Sequence, residues 1–172
     1  MPLTPEQALL LRDSALRAYA IEQPVTQRVI AAIPLDKSDF RIDEVSKTAI
    51  DLAWHLVGAE HRFLDFVVTG TFDTSASGRP PHLEDSAKLA RWYAVTSAAD
   101  RERVATMSAD ALVKVIDFRG MFQFPAVNFL DLGLRHTIHH RGQLSMYLRP
   151  MGAKVPAIYG ESYDSAKART GA

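Results

Sequence analysis

The stretch 126-AVNFLDLGLRHTIHHRGQLSMYLR-149 decides how this chain is read. Its apolar residues recur at helical spacing, Pro125 suits the first turn of a helix, and Pro150 and Gly152 close it. His136, His139 and His140 place three of the chain's six histidines within five positions. Residues four apart on a helix share a face, with Cβ atoms about 5–6 Å apart, so His136 and His140 can present two imidazoles to one ion. At about 100° per residue, Phe129, Gln143 and Tyr147 lie on the same stripe, while Asp131, Arg135 and Arg149 fall elsewhere. The pair therefore faces an apolar interior, where two imidazoles carry a desolvation cost that a bound divalent ion would relieve. Spacing alone also fits two hydrogen-bonded core histidines, or a solvated face of the helix.

Working outward, three more long periodic segments appear. Thr4, Pro5 and Gln7 form a capping-box pattern that predicts a helix to about Ala32, with a kink or restart near Gln23 imposed by Pro24, and an end at Pro34. A second helix is predicted from about Glu44 to Thr69, with Leu52, Leu56, Phe63 and Val67 inward and Gly70 as its stop. The loop 71-TFDTSASGRPP-81 is long enough to run the length of a bundle. A third helix should begin near Leu83–Ser86 and reach Thr106, burying Leu89, Trp92, Tyr93 and Val104. Residues 108–124 read as a connector, although 111-ALVKVIDFRG-120 has a short alternating, β-branched character. Residues 152–172 should wrap the surface and fray. Four helical patterns with almost no strand signal predict an all-α four-helix bundle, one domain over residues 1–172.

Composition narrows the function. Twenty basic and twenty acidic side chains cancel without long blocks of either sign, which argues against nucleic acid or an anionic membrane as partner. The absence of cysteine excludes disulfides, thiolate ligands and a cysteine nucleophile, so any metal must sit on nitrogen and oxygen. The opening MPLTPEQALLLRD has no basic region before its short apolar run, reads as neither signal peptide nor membrane span, and points to a cytoplasmic protein.

A third ligand must come from another helix, and His55, in the apolar segment LAWHLVGAEH, is the candidate. His61 is rotated about 120° from it and reads as structural or exposed; His139 points about 100° away from His140, and His82 beside two prolines reads as loop. Asp51, one turn before His55, is a candidate to orient that ring, although a solvated carboxylate is the plainer reading. Glu60 turns about 140° from His55 and the other acids look surface-directed, so no general base stands out.

These residues resemble the DinB family of DinB/YfiT-like metalloenzymes. The resemblance rests on HTIHHRGQLSMYLRPMGAKVPAIYG, which combines HxxxH, the following RGQ and a Pro-x-x-Tyr-Gly tail, and on AIDLAWHLVGAEHRFLD. It implies a four-helix bundle with a long crossover connection, a divalent metal held by His55, His136 and His140, and a homodimer; Gly142 suits a close helix approach. It also implies a small-molecule substrate, because the family includes thiol-dependent enzymes such as bacillithiol S-transferases and mycothiol-dependent maleylpyruvate isomerases.

Three neutral imidazoles would leave the ion's charge uncompensated and positions open, as in catalytic sites. Such an ion lowers the pKa of a bound thiol or water, which suits either S-transfer from a low-molecular-weight thiol to an electrophile or hydrolysis. Zinc or nickel is expected, with iron also suited to imidazole. Trp54, Gln143 and Tyr147 are candidates to line the substrate pocket, though such residues near a core often simply pack. A competing reading is a non-enzymatic bundle steadied by metal that acts by binding a partner.

Overall fold

Thr4 opens the regular structure in a computed structural model that describes residues 2–75 and 77–171. Its hydroxyl accepts from the Gln7 amide while the Gln7 side chain accepts from the Thr4 amide, starting α1 (Pro5–Ala31). The expected restart near Gln23 does not occur, because α1 continues through Pro24 as one helix. The carbonyl that proline deprives of a partner belongs to Ala20, an exposed residue where water can serve it, and Val25, Thr26, Val29 and Ile30 bury the half that follows.

Helix α2 (Ala49–Thr69) begins later than the predicted Glu44. Asp43 accepts the amides of Val45 and Ser46 and so holds them in a turn, while Thr48 caps the helix by accepting from the Asp51 amide. Helix α3 (Ser86–Ala105) starts at Asp85, whose carboxylate accepts from the Lys88 amide.

The predicted connector is structured. It holds a short helix, α4 (Ala109–Val113), and an antiparallel hairpin of β1 (Val115–Phe118) and β2 (Phe122–Pro125) with Phe118 opposite Phe122. Arg119 and Gly120 turn the chain at φ of 57° and 70°, and the Asp117 carboxylate accepts the Gly120 amide at 2.7 Å. Pro125 therefore ends a strand instead of opening a helix, a terminal position where its missing donor is tolerated. Helix α5 (Asn128–Leu148) follows. The carboxy-terminal segment, expected only to wrap and fray, carries α6 (Tyr163–Thr170) behind a Ser162–Ser165 capping box, and Arg149 pairs with Asp164 at 3.0 Å to fix it to the end of α5.

In the bundle, α2 lies against α5 and α3, and α1 lies against α3 and α5. One apolar cluster joins Ile30, Leu56, Tyr93 and Leu144; another joins Phe66, Leu112 and Phe129. The hairpin covers the second, with Phe118 stacked on Phe63 at 5.7 Å and on Phe129 at 5.9 Å. Gly133 sets how closely α5 approaches its neighbours: a Cβ there would lie 2.7 Å from the Tyr19 hydroxyl and 2.8 Å from Phe63 Cβ. That contact carries His136, one turn further along α5, against α2. Among the described residues no helix is long and apolar enough to cross a membrane.

Candidate metal centre

The contact between α2 and α5 brings His55, His136 and His140 together. One nitrogen from each ring lies within 4.8 Å of the other two, and the ring centroids are 4.3–5.0 Å apart. His55 Nε2 and His140 Nε2 are separated by 3.1 Å. His140 donates its Nδ1 proton to Gln143 Oε1 at 2.7 Å, which fixes the tautomer and leaves its Nε2 with a lone pair toward His55. Two lone pairs at that separation repel unless one ring carries a proton there or both share a cation. His136 Nδ1 is buried with no hydrogen-bond partner, a cost that coordination through this atom would remove.

Electrostatics keeps these rings neutral. Burial pushes His55 down to about 4, with His140, Lys47 and Arg62 adding to the effect. Burial first, then His140, His55 and Arg62, pushes His136 down to about 3. His140 is lowered by burial and held up in part by its bond to Gln143. Neutral imidazoles at neutral pH are what metal coordination requires. The residues fit a divalent cation: one nitrogen from each of three imidazoles converges, His136 Nδ1 lies buried without a partner, and the donor set suits zinc, nickel, iron and copper alike.

The other candidates fall into place around them. Trp54 is buried, packs on Trp92 at 5.3 Å and donates its indole proton to the Ser77 carbonyl at 3.0 Å. It also lines, with His55, a cavity of about 360 Å³. Tyr147 and Gln143 line another, of about 260 Å³, that reaches His140. Gln143 thus does more than line a pocket, because its amide bridges His140 and, at 3.2 Å, His139. Asp51 does not orient His55; it is taken by Arg79 at 3.3 Å. His61 donates its Nδ1 proton to buried Asp100 at 2.6 Å, a structural bond that raises its pKa, and His139 and His82 are exposed.

Three polar residues escaped the sequence reading. Glu60 and Asp100 are buried acids, Asp100 against the expectation that acids other than Glu60 face the surface. Glu60 accepts hydroxyl protons from Tyr93, Ser97 and Thr137 at 2.8–3.0 Å, and burial raises its pKa against those bonds. Arg141 is buried and held by Glu22, Thr26 and Tyr159, with the Tyr159 ring beneath its guanidinium at 5.2 Å. The signal for Glu60 was its place inside an apolar helix; nothing local marks Glu22 as the partner of Arg141.

Helical bundles place cofactor sites between facing helices, and here three imidazoles that could hold a divalent ion converge at such a place. The chain belongs to the DinB family, whose model matches residues 10–170. It is 29% identical over 153 residues to the uncharacterized protein YrdA of Bacillus subtilis, spanning 86% of this chain and 87% of YrdA. It is also 26% identical over 130 residues to YjoA of the same organism, spanning 74% of this chain and 82% of YjoA. The crystal structure of a DinB-like protein from Bacillus cereus superposes with a TM-score of 0.72 at 24% identity, covering 92% of this chain and 100% of that one. That of YjoA superposes with a TM-score of 0.71 at 23% identity, covering 86% and 99%. At these identities the superpositions speak for the fold.

Proposed function

We propose that His55, His136 and His140 hold a divalent ion, zinc or nickel, and that the protein transfers a low-molecular-weight thiol to an electrophilic small molecule. The observation that carries this reading is the convergence of three neutral imidazoles, with no carboxylate in the cluster among the described residues, at the edge of two cavities. A divalent ion in that setting supplies Lewis acidity that brings deprotonation of a thiol or of water toward neutral pH.

The chain's own residues prepare the place. Gln143 holds His140 in the tautomer that presents Nε2. Tyr147 donates to the Lys47 carbonyl at 3.2 Å and thereby fixes the segment that forms the cavity rim. Trp54, anchored to Ser77, walls the His55 side. Glu60, engaged by three hydroxyls, gives no proton acceptor to this centre, and a bound ion would supply the acidity that a side-chain base does not. A homodimer is also proposed: Gly142 on α5 is exposed and a Cβ there would meet nothing within 4 Å in the chain, so its glycine answers no packing need within one chain.

The test is metal content after dialysis of the protein, His55→Ala and His136→Ala, followed by consumption of cysteine or glutathione with a bimane dye. Stoichiometric metal lost in both variants, with metal-dependent thiol transfer, supports the reading. Metal retained in both variants overturns the ligand set. Hydrolysis of activated esters without thiol would move the reaction to hydrolysis, and turnover that survives chelation would remove the metal from the chemistry.

A further inference from the structure

The two cavities that reach the triad carry an excess of positive charge. The cavity that reaches His140 is lined by Lys47 and by no carboxylate among the described residues. The cavity that reaches His55 is lined by Arg41, Lys47 and Arg79 against a single carboxylate, Asp51, which Arg79 already engages at 3.3 Å. Lys47 belongs to both rims and forms no ion pair within 4.0 Å among the described residues. On the far side, half-buried Arg62 folds back along α2 toward Gly58, where an added Cβ would lie 3.2 Å from its guanidinium. Arg62 forms no ion pair within 4.0 Å among the described residues and its charge acts on His55 and His136, although Asp65 and Asp73 line the cavity on its own side.

The chain as a whole is neutral, with twenty basic and twenty acidic side chains, so this excess is local. Positive charge focused in a cleft with low-dielectric walls concentrates anions there. The cavity that reaches His140 is also lined by the apolar Ile42, Leu52, Met146 and Tyr147, together with Lys47. A ligand that satisfies both surfaces has a small apolar body and a negatively charged end.

We propose that the small molecule taken by this site is a carboxylic acid, its carboxylate held by Lys47 where the two cavities meet and its apolar body against Ile42, Leu52, Met146 and Tyr147. This deepens the reading of the triad as a reaction centre and rests on it for the direction in which the molecule is presented. Its binding step stands apart, since Lys47 is not among the metal ligands. An ammonium on a carboxylate makes a charge-assisted bond that a neutral amide of the same shape cannot replace.

The probes are hexanoate and hexanamide, titrated calorimetrically into protein with and without zinc, while zinc stoichiometry is measured separately on each sample. The expected result is a preference for hexanoate of about tenfold in both forms, abolished in Lys47→Gln with zinc stoichiometry unchanged. Equal affinity for the two probes overturns the proposal. A preference that appears only with zinc and survives Lys47→Gln also overturns it, since the carboxylate then sits on the metal. Failure of the wild-type protein to take up zinc sinks the metal reading alone, because the comparison on zinc-free protein still decides the role of Lys47.

Discussion

Thr137 and His136 are neighbours on α5, yet they serve polar clusters of opposite kinds. Thr137 completes the Glu60 group, where a fully buried carboxyl receives hydroxyls from α3 and α5 and no oxygen lacks a partner. His136 belongs to a half-buried group in which one nitrogen has no partner and two others stand 3.1 Å apart. Both clusters tie α2 to α5, but the first is closed and the second has unmet coordination. A buried polar group that is fully satisfied holds helices together, whereas one left short is arranged for something that arrives from outside.

The largest expected effect tests the open cluster. His136→Ala should lower affinity for zinc by more than about 100-fold while circular dichroism shows the helices intact, because it removes a ligand where loss of a group that only orients a ligand costs about 10–100-fold. Gln143→Ala, which leaves all three imidazoles in place but frees the His140 ring, should weaken zinc by about 10–100-fold in equilibrium dialysis against a chelator. Unchanged affinity in that variant would mean that the Gln143 bond does not set the tautomer.

The closed cluster should respond in stability and not in metal. Glu60→Leu leaves buried hydroxyls without their acceptor, and urea denaturation should show a loss of about 1–3 kcal/mol with zinc stoichiometry unchanged. A Glu60→Leu protein that folds as stably but takes up no metal would reverse the comparison.

The smallest effects are opposite pH slopes in the metal-free protein. His55 and His136 are held at about 4 and about 3, below their ordinary 6.5, so the unfolded chain binds protons that the folded one refuses. Their contribution is complete above pH 6.5 and is lost as pH falls through 4 and then 3. Glu60, raised above 4.5, acts the other way: its contribution is present below 4.5 and is lost as pH rises through the folded value. Melting temperatures across this range should show a shallower acid loss in His136→Ala and a shallower loss on the rising side in Glu60→Leu.

Much of this was legible from period and spacing. The four long helices follow their apolar stripes, and HxxxH on α5 put His136 and His140 on one face, with His55 joined to them through the family resemblance. What could not be read was what came from elsewhere in the chain. A helical wheel places Glu60 away from His55 correctly but cannot supply the hydroxyls of Tyr93 and Ser97, which lie on α3 and make its burial tolerable. Asp51 stood as a candidate for His55, beside the plainer solvated reading, because only local neighbours were in view; its partner, Arg79, comes from the loop before α3. The hairpin was hidden because each strand is four residues long, too short for alternation to stand out, and because Pro125 is as suited to a helix start as to a strand end.

Trp54 and Trp92 are the chain's two tryptophans, packed together at 5.3 Å with Trp54 next to His55 in sequence and lining the same cavity. The protein's indole emission therefore originates from a single spot beside the triad. A closed-shell ion such as zinc would leave that light largely in place and an open-shell ion such as nickel would dim it, so the molecule carries its own optical gauge of what its histidines hold.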